Sequence, residues 1–78
     1  VILSAVNDPG GAATTTVFIT DLTEATDDHY KGRVVIFYGG GALDGQASDI
    51  TAYNGTTKAL TVSALTDTPA DNEKFMIV

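Results

Sequence analysis

Two stretches in the second half of the chain, residues 46–53 and 58–64, alternate between apolar and polar side chains. One face of these stretches carries Ser48, Ile50, Ala52, Leu60, Val62 and Ala64. The opposite face carries Thr51, Tyr53, Thr61 and Ser63. A period of two residues is typical of a strand with one face buried. The pattern therefore predicts two half-buried β-strands.

The link between these strands contains Asn54 followed by Gly55. Asn-Gly supplies the positive φ angles that a tight hairpin turn needs to match the twist of its strands. We therefore predict a central Asn-Gly hairpin around which the rest of the chain is arranged.

Four further segments are rich in β-branched and aromatic residues, which favour strands. These predicted strands are residues 1–6, 14–20, 33–38 and 74–78. Turns with glycine or proline separate most of them, and residues 21–32, which lack a β pattern, are predicted to form a structured loop. The result is an all-β fold, a small antiparallel barrel or sandwich of about six short strands.

The length of 78 residues predicts a single domain, near the lower limit for independent folding. There is no cysteine, so extra stability is expected from oligomerisation, a metal or the rest of a longer chain. The first residue is Val1 rather than methionine, which is consistent with a piece of a larger protein. No apolar run approaches the roughly 20 residues of a membrane helix, and we expect a soluble protein.

The charge balance argues against one large class of partners. Ten acidic residues against four basic ones give a formal charge of −6. Nucleic acids and anionic lipids both attract basic surfaces. We therefore predict no nucleic-acid and no membrane partner, and interpret the acids as a solvated surface.

Candidate catalytic groups are few. His29 is the only histidine, and no serine or threonine lies in a nucleophile signature, so we predict a surface histidine and no enzyme. Gly39, Gly40 and Gly41 lack the Lys-Ser/Thr and the helix of a phosphate loop, and are interpreted as a flexible connection.

Candidate ligand and modification sites are equally sparse. Acids that could offer oxygen ligands to calcium are Asp27, Asp28, Asp67, Asp71 and Glu73. Their spacing matches no known calcium loop, so no metal and no cofactor are predicted. The sequence at residues 54–56 also satisfies the glycosylation sequon, but turn chemistry already explains it.

Two groups of residues are candidates for contacts with other molecules. Tyr30, Tyr38 and Tyr53 would form a contact surface if they stack on an exposed face, or cross-strand pairs at the barrel rim if they do not. The terminal segments are apolar on both faces. They either pair inside the core or form a subunit interface, for which the candidate residues are Ile2, Leu3, Phe75 and Ile77.

Residues 12–78 resemble a module that recurs in virion proteins of tailed bacteriophages. The pattern consists of a threonine-rich strand, an Ala-Thr-Asp-Asp loop, an aliphatic strand after glycine, Gly-Gln, an Ile-Thr-x-Tyr-x-Gly hairpin, a Thr-Val strand and a loop with proline. The matching residues are Ala25, Thr26, Asp27, Asp28, Gly32, Gly45, Gln46, Ile50, Tyr53, Gly55, Thr61, Val62 and Pro69. The chain departs from the pattern at Asp49, where the family often carries a basic residue.

The resemblance implies a location in the virion and a non-catalytic structural role in a fibre, tail or capsid-decoration protein. The expected partners are other virion proteins and copies of the chain itself, in a homo-oligomer. The alternative is a carbohydrate- or receptor-binding adhesin domain that uses Tyr38 and Tyr53 as its platform.

Overall fold

The computed structural model describes residues 1–78, and the fold is all-β without helices. The six strands are β1 (Ile2–Ala5), β2 (Val17–Ile19), β3 (Val34–Phe37), β4 (Ala47–Asn54), β5 (Ala59–Val62) and β6 (Lys74–Ile77). Each strand falls on a segment that the sequence pattern predicts, with bounds shifted by at most three residues. Residues 21–32 form a loop of turns, as predicted.

The strands form one antiparallel sheet in the order β1-β6-β3-β4-β5-β2, curled into a half-barrel. The two edge strands meet at one end, where Val6 and Thr20 form an isolated bridge. Two backbone hydrogen bonds join this end, from Asn7 to Ile19 at 2.8 Å and from Asp21 to Ala5 at 3.0 Å. The curl therefore encloses a core although β1 and β2 do not pair along their length.

Three phenylalanines form the centre of the core. The rings of Phe18, Phe37 and Phe75 lie 5.7 to 5.9 Å apart in tilted and edge-to-face arrangements, which aromatic pairs prefer. Phe75 and Ile77 are completely buried. Of the two alternatives for these residues, the core is the one found and the interface is wrong, because both side chains lie on the inner face of the curled sheet.

An irregularity in β4 changes the predicted faces. Ile50 pairs with Val62 and Ala52 with Thr61, so Thr51 is an extra residue with no partner on β5. Such a bulge shifts the alternation by one residue, and Ile50 and Tyr53 both point into the core. The prediction that Tyr53 lies on the face opposite Ile50 is wrong for this reason.

The turn between β4 and β5 differs from the predicted one. Neither Asn54 nor Gly55 has a positive φ, and the left-handed residue of the turn is Lys58, with φ of 66°. Asn54 acts through its side chain, because its Oδ1 accepts hydrogen bonds from the amides of Thr56 and Thr57. The turn thus spans four residues and depends on an asparagine cap.

Candidate functional site

The three tyrosines do not form a common surface. Tyr30 and Tyr53 are 5% and 2% exposed, whereas Tyr38 is 39% exposed. The bulge in β4 turns Tyr53 inward, and the Tyr30 ring packs edge-on against it with centroids 4.8 Å apart. A contact platform that includes Tyr30 or Tyr53 is therefore ruled out, and only Tyr38 remains available at the surface.

Tyr53 instead ties residues 21–32, here named the acidic loop, to the sheet. Its phenolic hydroxyl donates a hydrogen bond to the carbonyl oxygen of Glu24 at 2.7 Å. Burial raises the pKa of the Tyr53 phenol above its usual value, and the pKa of Tyr30 is raised mainly by burial as well. Both phenols pack against each other inside the fold.

Two aspartates of the acidic loop hold the hairpin between β4 and β5. Asp27 Oδ1 accepts the amide of Gly55 at 2.8 Å, and Asp28 Oδ1 accepts the amide of Tyr53 at 3.1 Å. The Asp28 amide in turn donates to the Tyr53 carbonyl at 2.7 Å, and Asp28 adopts a φ of 59°, which aspartate tolerates better than most residues. These aspartates thus have a structural role in the docking of the loop.

Gly55 allows this docking because it has no side chain. A Cβ at position 55 would lie 2.2 Å from the carbonyl oxygen of Ala25 and 2.9 Å from the amide nitrogen of Thr26. The glycine is therefore required by the close approach of two backbones and not by the conformation of the turn.

Residues 39–45, here named the glycine loop, are held by a buried carboxylate. Glu73 is 6% exposed, and its two oxygens accept the amides of Leu43 and Ala70, each at 3.2 Å. A Cβ at Gly41 would lie 2.6 Å from Glu73 Oε2, and one at Gly39 would lie 2.9 Å from the Lys74 amide nitrogen. The loop is thus packed against the start of β6 at Gly39 and Gly41, whereas a Cβ at Gly40 would meet nothing within 4 Å.

Most of the acids have a structural partner in the backbone. Seven of the ten carboxylates accept at least one backbone amide, and they belong to Asp8, Glu24, Asp27, Asp28, Asp67, Asp71 and Glu73. Their interpretation as a merely solvated surface is therefore incomplete. No three His, Cys, Asp or Glu side chains come together in a way that could hold a metal ion.

His29 lies at the surface, where its Nε2 is 3.8 Å from Glu24 Oε1 and its ring packs edge-on against Tyr30. Hydrogen bonds from Thr26, through side chain and amide, lower the pKa of Glu24, and the neighbouring His29 lowers it further. These contacts position the side chains of the acidic loop beside the buried tyrosines.

The outer surface of β1, β6 and β3 is the largest feature that the structure adds to the sequence analysis. Antiparallel register places Leu3, Met76 and Ile36 in one row across the three strands, because Met76 pairs with both of the others. Side chains of directly paired residues lie on the same face of a sheet. We name this surface the apolar wall; its outward-facing residues are Val1, Leu3, Ala5, Val34, Ile36, Tyr38, Lys74, Met76 and Val78.

The apolar wall combines large exposed hydrophobic residues with an absence of acids. Val1, Leu3 and Val78 are 81%, 64% and 45% exposed. Lys74 is the one charged residue of the wall, on a chain with ten acids. Of the predicted interface residues, Leu3 belongs to this wall, whereas Ile2 is half-buried on the inner side of β1. Val34, Ile36 and Met76 were not predicted as surface residues, although the unbroken apolar runs of β3 and β6 indicated that both faces of these strands are apolar.

No protein-family model, no curated protein and no solved structure matches the chain. The structure also has no helix that is long and apolar enough to cross a membrane. The candidate features are the two docked loops and the apolar wall, of which Val1, Leu3, Tyr38 and Val78 are exposed and the central residues are half-buried.

Proposed function

We propose that the chain is a non-catalytic structural module of a tailed-bacteriophage virion, in a fibre, tail or capsid-decoration protein, and that it acts through protein–protein contacts. The resemblance of residues 12–78 to such modules suggests this role. The motif residues Asp27, Asp28, Tyr53 and Gly55 join residues 21–32 to the hairpin between β4 and β5, so within the chain they stabilise the fold. The apolar wall is a candidate contact surface that the motif does not include.

The observation that carries the proposal is the apolar wall. Exposed apolar side chains that lie together on one sheet face, rather than singly, mark sites of protein association. A standard interface covers about 800 Å² on each partner, which is roughly a fifth of the 4027 Å² surface of this chain. An interface of that size corresponds to one wall of the half-barrel.

The distribution of charge favours a second copy as one partner. Two chains of charge −6 repel each other, and the repulsion is greatest where acids face acids at short distance. The outward-facing residues of β1, β6 and β3 include no acid, although the exposed Asp49 of β4 pairs with Val34 and borders the wall. A homo-oligomer that meets on β1 and β6 buries apolar area without placing acids of these two strands face to face.

Light scattering of the purified chain at several concentrations tests the proposal. We expect a closed oligomer for the natural sequence and a shift to monomer for Leu3→Glu, which introduces a charge into the wall. The matched control is Ser63→Glu, which adds the same charge at an exposed position after β5 and leaves the oligomer intact. A folded monomer at all concentrations would contradict the self-association.

The adhesin alternative loses the platform that the sequence suggested, because Tyr53 is buried. Tyr53→Ala would remove a core side chain and is therefore unsuitable as a test of binding. A glycan screen with Tyr38→Ala is the appropriate experiment, since Tyr38 is at the surface. Specific glycan binding that is lost in Tyr38→Ala would favour the adhesin over an assembly module.

A further inference from the structure

The peptide bond between Asn54 and Gly55 has a chemical reactivity that is independent of the proposed function. In an Asn-Gly sequence the glycine nitrogen can attack the asparagine Cγ, because no Cβ on the glycine hinders the approach. The N–Cγ bond forms, the Cγ–Nδ2 bond breaks, and ammonia leaves with the proton of the glycine amide. Water then opens the resulting succinimide at either carbonyl, which yields aspartate or isoaspartate.

The fold holds the nucleophile of this reaction in a buried hydrogen bond. Gly55 is buried, and its amide donates a hydrogen bond to Asp27 Oδ1 at 2.8 Å. The backbone of Ala25 and Thr26 lies directly over the glycine, where a Cβ would be only 2.2 Å from the Ala25 carbonyl oxygen. Removal of the amide proton, which the attack requires, is therefore obstructed from the side of the acidic loop.

The side-chain carboxamide of Asn54, which is the electrophile, is also held by hydrogen bonds. Asn54 Oδ1 accepts hydrogen bonds from the amides of Thr56 at 2.8 Å and Thr57 at 3.0 Å. These two bonds fix the carboxamide over the four-residue turn. A reorientation of the side chain toward the Gly55 nitrogen would have to compete with these two bonds.

We propose that Asn54 is a latent deamidation site and that the docked acidic loop, through Asp27, suppresses the reaction in the folded protein. The Asp27 carboxylate is a weak base, and its negative charge disfavours an amide anion at hydrogen-bonding distance. Asp27 thus opposes deprotonation of Gly55 rather than assisting it.

Both residues of the reactive bond also have a role in the fold. A side chain at position 55 would collide with the acidic loop, and Asn54 caps the turn. Deamidation would add a carboxylate next to Asp27, and isoaspartate would insert a methylene into the backbone where Asn54 pairs with Ala59. Either product would weaken the attachment of the acidic loop to the hairpin.

The first test compares the folded natural chain with the same chain unfolded in urea, at mildly alkaline pH. Peptide mapping by mass spectrometry measures the conversion of each asparagine, and Asn7 and Asn72, which precede acidic residues, are internal references. In urea we expect Asn54 to react faster than the two reference asparagines. In the folded chain we expect its rate to be lower by a factor of roughly ten or more, because the reaction requires local opening. Equal rates at Asn54 in the two states would overturn the proposal.

The second test isolates Asp27. Asp27→Ala should accelerate conversion of Asn54 by roughly tenfold, whereas Asp44→Ala, which removes an acid with no side-chain hydrogen bond, should not. Circular dichroism and denaturant titration verify that both variants are folded under the conditions used. A slower reaction in Asp27→Ala would mean that the carboxylate acts as a base, and an unchanged rate would mean that it has no effect; both results contradict its protective role.

Discussion

The acidic loop and the glycine loop both dock through a carboxylate that accepts a backbone amide and through a glycine that allows close approach. The two loops differ in which partner supplies the carboxylate and which supplies the glycine. In the acidic loop, the loop supplies the carboxylates of Asp27 and Asp28, and the hairpin supplies Gly55. In the glycine loop, the loop supplies Gly39 and Gly41, and the segment before β6 supplies the carboxylate. Each contact joins a backbone amide to a carboxylate at a point where a glycine allows close approach.

The two loops differ in the number of hydrogen bonds that attach each of them to the sheet. The acidic loop is held at several points, by two carboxylates, by the Asp28 backbone and by the Tyr53 hydroxyl. The glycine loop has one hydrogen bond to a side chain, from the Leu43 amide to Glu73, while the Leu43 side chain itself is buried in the core. We therefore expect the acidic loop to tolerate the loss of one hydrogen bond better than the glycine loop does.

The largest effect is expected from Gly55→Ala. The new Cβ would lie 2.2 Å from backbone atoms that cannot move without undocking the acidic loop. We expect a loss of about 3 kcal/mol in the free energy of unfolding, measured by denaturant titration. Gly10→Ala is the matched control, because a Cβ there meets nothing within 4 Å, and should change stability by less than about 0.5 kcal/mol. Equal effects of the two substitutions would contradict the close-approach explanation.

A smaller loss, of about 2 kcal/mol, is expected from Glu73→Ala, because the buried amide of Leu43 would lose its acceptor. Glu73→Gln keeps one acceptor oxygen and should lie between this variant and the natural chain. Hydrogen exchange should show the increased opening in residues 39–45 and not in residues 21–32. Uniform loss of protection across both loops would show that they do not open independently.

The smallest effect is expected from Tyr53→Phe, which removes only the hydrogen bond to the Glu24 carbonyl and should cost about 1 kcal/mol. This variant also tests how the free energy of unfolding changes at alkaline pH. The pKa of Tyr53 is higher in the folded chain than its ordinary value of 10.0. As the pH rises above that value, the unfolded chain loses a proton that the folded chain retains, so stability falls.

Denaturant midpoints at about pH 9 and about pH 11 measure this dependence. Tyr53→Phe should lose less stability over the interval than the natural chain, with Tyr30 accounting for part of the remainder. An identical pH dependence in both proteins would exclude Tyr53 as a contributor.

The sequence predicted the strands well because their signals are local. The β-branched runs and the period of two identify β3, β4, β5 and β6 without knowledge of their partners. The bulge at Thr51 could not be predicted in this way, since it is defined by the register between β4 and β5. It reversed the expected exposure of Tyr53 and removed that residue from the candidate contact surface.

The two apolar terminal segments show that local patterns also could not predict the candidate contact surface. Sequence analysis recognised that residues 1–6 and 74–78 carry more apolar surface than one thin sheet can bury. The curl of the sheet decided that Phe75 and Ile77 are core residues, while Leu3 and Met76 face outward. The order β1-β6-β3 then places the outward-facing residues of the three strands side by side, which no local pattern contains.

By itself, the sequence determined the all-β class, the approximate strand positions, the loop at residues 21–32 and the negative charge, because each depends on neighbouring residues or on composition. The tertiary structure alone decided what the glycines and acids do. Gly55 and Asp27 are distant in sequence, and their joint role exists only where the acidic loop meets the hairpin. Close approach and hydrogen bonding between remote segments arise only in the packed chain. The structural role of such a residue can therefore be recognised only when its partner is known.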